Sequence, residues 1–123
     1  MSPAALMIVE DDADISEALA EALEDHGHTV IVAADGQEAL DKLRAAAVLP
    51  RLILLDLMMP VMDGWQFRAA QRQDANLAEI PVVLLPAHVD GRRAAGELGA
   101  IAWLRKPVDL QALLAIVTRP DDA

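Results

Sequence analysis

The sequence predicts an α/β fold built on a doubly wound parallel sheet, and three observations carry that expectation. Strand-like and helix-like segments alternate along the chain. The strand-like segments are unbroken apolar runs, as suits strands covered by helices on both faces. The chain has 123 residues, enough for five β–α units in a single domain (1–123, with an ordered core over about 4–119), with little room for a second. Right-handed crossovers then place five helices on the two faces of five strands, in three layers.

The first strand is Leu6-Met7-Ile8-Val9, followed at once by Glu10-Asp11-Asp12. Ile15, Ala18, Leu19, Ala22 and Leu23 recur at helical spacing, and Gly27 stands where a left-handed cap would end that helix. Asp14 with Glu17 has the form of a capping box. Residues 29–33 read as a second strand. Asp35 and Glu38 offer another capping pattern, ahead of an apolar stripe of Ala39, Leu40, Leu43 and Ala47. Pro50 breaks the chain before the third strand, residues 52–55, which ends at Asp56. A loop through Pro60 and Gly64 leads to a helix over 65–73, where Trp65 and Phe67 are expected to be partial core. Pro81 precedes a fourth strand, 82–85. Residues 90–98 make a weak helix because Gly91 and Gly96 each cost about 1 kcal/mol relative to Ala, so a short or mobile element is expected there. Residues 101–105 form the fifth strand. Leu110, Leu113, Leu114 and Val117 give the stripe of a closing helix, beyond which Asp121-Asp122-Ala123 is expected to fray.

Composition narrows the function. Hydrophobic residues make up 54% of the chain and aromatics only 2%, so the core is aliphatic. The absence of cysteine excludes disulfides and thiolate metal sites. The apolar runs are far shorter than the roughly 20 residues of a membrane span, and the N-terminus lacks the pattern of a signal peptide. A soluble cytoplasmic protein is therefore expected. A formal net charge of −10 argues against direct nucleic-acid binding.

Ligands of open parallel sheets bind beyond the carboxyl ends of the strands. Glu10, Asp11 and Asp12 follow the first strand, Asp56 the third, Pro86-Ala87-His88 the fourth and Lys106-Pro107 the fifth. Clustered carboxylates repel one another and raise each other's pKa. A hard divalent cation removes that conflict, and Mg2+ (or Mn2+) suits a few carboxylates plus a phosphate. With the cation and Lys106 neutralising phosphoryl oxygens, an aspartate can act as a nucleophile toward phosphorus. Asp56, ending a buried strand, is the best nucleophile; Glu10 and Asp11 would hold the metal. Asp12 and Asp14 are better assigned to helix N-terminal charge.

These residues lie in three stretches, LMIVEDD (6–12), LLDLMMPVMDG (54–64) and GAIAWLRKP (99–107), that resemble motifs of response-regulator receiver domains in order and spacing. The resemblance covers nearly the whole chain. It implies a flavodoxin-like sheet of order 2-1-3-4-5, Asp56 as phosphoacceptor, Glu10 and Asp11 as the metal-binding pair and the backbone carbonyl of Met58 as a further ligand. It also implies phosphoryl pairing by Lys106, a backbone N–H contact from Ala87 and a cis peptide at Lys106–Pro107. A sensor histidine kinase or phosphotransfer protein would supply the phosphoryl group, and a downstream protein would receive the signal, with homodimerisation open. The chain departs from the family at two places. Pro86 stands where Thr or Ser is usual and offers neither hydroxyl nor N–H. Trp103 stands where Tyr or Phe is common, and its bulk opposes inward movement.

Competing functions weigh less. Pro86 motivates a pseudo-receiver, an interaction module of the same fold that works without phosphorylation, yet such a module has no need of Glu10, Asp11, Asp56 and Lys106 together. An aspartyl phosphatase would typically carry a second Asp where Met58 stands, and a flavodoxin would not place three acids in its phosphate loop. The expectation is thus a phosphoacceptor, not an enzyme. His88 reads as a solvated loop residue near the site, while His26 and His28 flank Gly27 and need no function. Met58, Met59 and Met62 read as loop packing.

Overall fold

The structure, a computed structural model, describes residues 4–118; Arg119 and the tail expected to fray lie outside them. Its elements are β1 (Leu6–Val9), α1 (Ala13–Asp25), β2 (Val30–Ala33), α2 (Gly36–Ala45), β3 (Leu52–Leu55), α3 (Gly64–Gln73), β4 (Val82–Leu84), α4 (Gly91–Leu98), β5 (Ala102–Trp103) and α5 (Leu110–Val117). All pairings are parallel, and the five strands lie in the order β2-β1-β3-β4-β5. Val9 and Leu55 are in register, so β1 and β3 end side by side.

Alternate residues of the central strands feed two cores. Met7, Val9, Ile53, Leu55, Val82 and Leu84 pack with Leu40 and Leu43 of α2, Phe67 of α3 and Ala94 and Leu98 of α4. Leu6, Ile8, Leu52, Leu54 and Val83 pack with Leu19 and Leu23 of α1 and Leu113 and Val117 of α5. Helices on both faces explain why the strands carry no polar alternation.

Several local expectations are corrected. Asp12, not Asp14, caps α1, accepting from the N–H groups of Asp14 and Ile15. Asp14 is already in the first turn, so Asp14 and Glu17 form no capping box. The α2 stripe stops short of Ala47, because the helix ends at Ala45 and Ala47 is exposed. At α3 a capping box between Asp63 and Gln66 starts the helix one residue earlier than expected. Phe67 is fully buried rather than partial core, while Trp65 is half-buried. The fifth strand has only two residues, since it pairs on one side with a three-residue neighbour. In α5, Leu113 and Val117 are buried but Leu110 is exposed. The α4 helix fills nearly all of the expected 90–98 segment, with Asp90 as N-cap and Gly99 at φ +63° as C-cap, and at eight residues it is as long as the glycine-free α5. Gly27 has φ +89° just past the end of α1.

Candidate functional site

The site lies at the carboxyl edge of the sheet, where β1 and β3 end together. Glu10 continues β1, its N–H donating to the Ala33 carbonyl, and Asp56 continues β3, its N–H donating to the Val9 carbonyl. Both side chains are buried: Glu10 is 2% exposed and Asp56 3%. Asp11 is exposed beside them. One carboxylate oxygen from each of Glu10, Asp11 and Asp56 lies within 4.8 Å of the others. Asp12, the fourth acid considered, is turned away into its cap on α1.

Lys106 reaches this cluster from beyond β5. Its ammonium pairs with Glu10 Oε1 and stands 3.2 Å from Asp56 Oδ1, with only 15% of the side chain exposed. Asp56 Oδ1 also accepts from the Leu57 N–H at 2.9 Å, and Glu10 Oε2 from the Asp12 N–H at 3.1 Å. Burial pushes the Glu10 carboxyl up to about 7, against the pull of Lys106 and the Asp12 N–H, and the Asp56 charge adds to the rise. For Lys106, burial acts downward, but the Glu10 and Asp56 carboxylates outweigh it and raise the pKa. The lysine is therefore a fixed cation, and two buried carboxylates share it.

One cation for three clustered acids leaves the site short of positive charge. Glu10 Oε1 is buried and makes no hydrogen bond among the described residues, having only the ion pair with Lys106. An all-oxygen donor set on two adjacent strand ends, with one member exposed to water, fits a hard divalent cation such as Mg2+.

The loop after Asp56 is folded back tightly. The Gly64 N–H donates to the Leu57 carbonyl, and a Cβ at Gly64 would stand 2.7 Å from the Asp56 carbonyl oxygen, so a side chain there would push the loop off the strand. Met58, two residues past Asp56, has a 61% exposed side chain. On the far side, Pro86 is buried and its carbonyl accepts from the Lys106 N–H at 2.9 Å. Ala87 is half-buried, His88 is exposed, and Trp103 is 37% exposed. The Lys106–Pro107 peptide is cis.

Sequence reasoning passed over two polar features. Arg68 and Gln71 are buried in α3: Arg68 donates to the carbonyls of Leu98 and Gly99 and to Gln71 Oε1, while Gln71 Nε2 donates to the carbonyls of Leu77 and Ile80. The signal available was their spacing, since Gly64, Phe67, Arg68 and Gln71 stand at i, i+3, i+4 and i+7, all core-facing. Arg105 was also missed. It donates from Nη1 to the Ala87 carbonyl at 3.3 Å, a contact across eighteen positions that no local pattern announces.

The doubly wound parallel sheet thus carries a buried aspartate, two further acids and a lysine together at one edge. The comparisons name the class. Residues 6–118 match the response regulator receiver domain family, and the chain belongs to that family. It is similar to response regulator Rre1 of Synechocystis sp., 41% identical over 118 residues, which are 94% of this chain and 50% of that protein. Among solved structures it resembles the chemotaxis protein CheY4 of Vibrio cholerae (32% identity, TM-score 0.84, covering 96% of this chain and 98% of that one). It also resembles the phosphorylated cyanobacterial phytochrome response regulator RcpA (32% identity, TM-score 0.78, 94% and 89% covered). The chain spans about half the length of the curated relatives it matches.

Proposed function

We propose that this chain is a working receiver of a two-component system, taking a phosphoryl group onto Asp56 in a Mg2+-dependent (or Mn2+-dependent) site and signalling by protein contact. The observation that carries the reading is the buried Asp56 carboxylate within 3.2 Å of the Lys106 ammonium and beside Glu10 and Asp11. Glu10, Asp11 and Asp56, with the backbone carbonyl of Met58, would hold the cation. When bound, the ion neutralises phosphoryl oxygens and lowers the repulsion among the carboxylates.

An Asp56 carboxylate oxygen attacks phosphorus. A new O–P bond forms as the donor's N–P or O–P bond breaks, and the departing group keeps the electron pair. Lys106 pairs with the transferred oxygens, and the Ala87 N–H faces them in place of the hydroxyl that Pro86 cannot supply. Residues 1–123 act as one receiver module. The donor is a sensor histidine kinase or a phosphotransfer protein, and the output is a protein partner. This chain acts as phosphoacceptor, assisting at most its own phosphorylation and hydrolysis, and works in the cytoplasm. No helix among the described residues is long and apolar enough to cross a membrane.

The test is intact-mass analysis after incubation with acetyl phosphate and Mg2+. The wild type gains one phosphoryl group, and the gain disappears with chelator or in Asp56→Asn. A wild type that binds Mg2+ yet gains no mass would refute this reading and favour a phosphorylation-independent pseudo-receiver.

A further inference from the structure

Arg105 and Trp103 are two residues apart on an extended segment and so point to the same side of the sheet. The Arg105 guanidinium carbon lies 5.9 Å from the Trp103 ring centroid, within reach of a cation–π contact. The indole in turn rests on the first residue of α4. A Cβ at Gly91 would stand 2.3 Å from Trp103 Cε3, so only a glycine there leaves room for the ring.

The same guanidinium holds the turn that follows β4. Backbone pairing between β4 and β5 continues through the Leu104 N–H to the Leu84 carbonyl and the Lys106 N–H to the Pro86 carbonyl, both 2.9 Å. The next carbonyl along, that of Ala87, lies past the ladder and accepts from Arg105 Nη1 at 3.3 Å. Two consecutive peptide planes are thereby fixed. The plane containing the Ala87 N–H is held through the Pro86 carbonyl, and the following plane is held through the Ala87 carbonyl. Pro86, with neither hydroxyl nor N–H, donates no hydrogen bond to this turn.

We propose that Arg105, braced on Trp103, is a positioning residue that holds the Ala87 turn so that its N–H meets the phosphoryl group on Asp56. The inference rests on the receiver reading above. In this chain the aromatic of β5 then serves as a brace, held between Gly91 and Arg105. A donor aimed at developing charge is effective only when held in place beforehand.

The test compares the rate of phosphoryl uptake from acetyl phosphate in wild type, Arg105→Ala, Trp103→Ala and the double variant, with Mg2+ affinity and thermal midpoint measured on each. Arg105→Ala is expected to slow uptake about tenfold, as small misplacements of catalytic groups do, with Mg2+ affinity and midpoint unchanged. Arg105→Lys, which keeps the charge and a donor, is expected to recover part of the rate. The double variant is expected to lose no more than the worse single one, because the pair acts as a unit. Wild-type uptake in Arg105→Ala, losses that simply multiply, or a slowing matched by falls in midpoint and Mg2+ affinity would each overturn the inference while leaving the receiver reading intact. No uptake by the wild type would overturn both.

Discussion

Val61 is a β-branched residue held at φ +69° and 80% exposed, five positions past Asp56. Its side chain gains little burial for a backbone conformation that disfavours it. The loop imposes the conformation from both sides: the Met62 N–H donates to the Pro60 carbonyl, and the Met62 carbonyl accepts from the Gly36 N–H. Val61→Gly, which has no Cβ to oppose a positive φ, is expected to stabilise the protein by about 1 kcal/mol, raising the thermal midpoint by roughly 3 °C. Differential scanning calorimetry checks this, and a lower midpoint would show that the Val61 side chain contributes packing that outweighs the strain. At this scale the acids and the lysine were legible in the sequence, because Glu10 and Asp56 directly follow apolar runs, Asp11 and Lys106 come one residue later, and the topology sends those ends to one edge. The backbone of Val61 was not, because bonds from residues 36 and 60 set it. Asp12 was legible in type, as helix N-terminal charge, while the cap itself was wrongly given to Asp14.

Among the elements, α4 shows how composition sets local stability. Gly96 is exposed, and a Cβ there would meet nothing within 4 Å. Gly96→Ala is therefore expected to stabilise the helix by roughly 0.5–1 kcal/mol and to slow amide exchange across Gly91–Leu98; unchanged exchange would mean that docking onto the sheet, not helix propensity, limits its opening. The junction of β2 with α5 gives a pH dependence. His28 Nε2 lies 3.5 Å from Thr118 Oγ1, at the cap of α5. Burial, with Arg51 and His26 nearby, lowers the His28 pKa below the usual imidazole range. The unfolded chain thus takes up this proton more readily than the folded one, so the contribution to stability is full above about pH 6.5 and shrinks as pH falls through that value. Between pH 7 and 5 the wild type is expected to lose more of its midpoint than His28→Gln, and equal losses would remove His28 as the cause. Elements of strong periodicity such as α1 and α2 were legible nearly to their ends. The capping box of α3 was overlooked, and β5 shrank to two residues because pairing to a neighbour, not local preference, decides an edge strand.

For the molecule as a whole, the fold was legible because every signal agreed: apolar runs of strand length, helical stripes between them and right-handed crossovers leave few topologies open. Charge follows the same plan. No lysine or arginine precedes Lys42, and Glu10, at the end of β1, meets its cation only when Lys106 arrives from the far end of the chain. The acidic site is therefore a property of the completed sheet, with contributions from the ends of β1, β3 and β5. The braces that surround it, Arg105 on Ala87 and Arg68 on the end of α4, depended on contacts between distant residues and could not be read from spacing alone. The central claim is that this assembled edge makes Asp56 the phosphoryl acceptor. The most direct measurement is to phosphorylate the protein with acetyl phosphate and Mg2+, reduce the resulting acyl phosphate with borohydride, and map the peptides by mass spectrometry. The account predicts conversion of residue 56 alone to homoserine, abolished by chelator; reduction at another carboxylate, or at none while Mg2+ is bound, would contradict it.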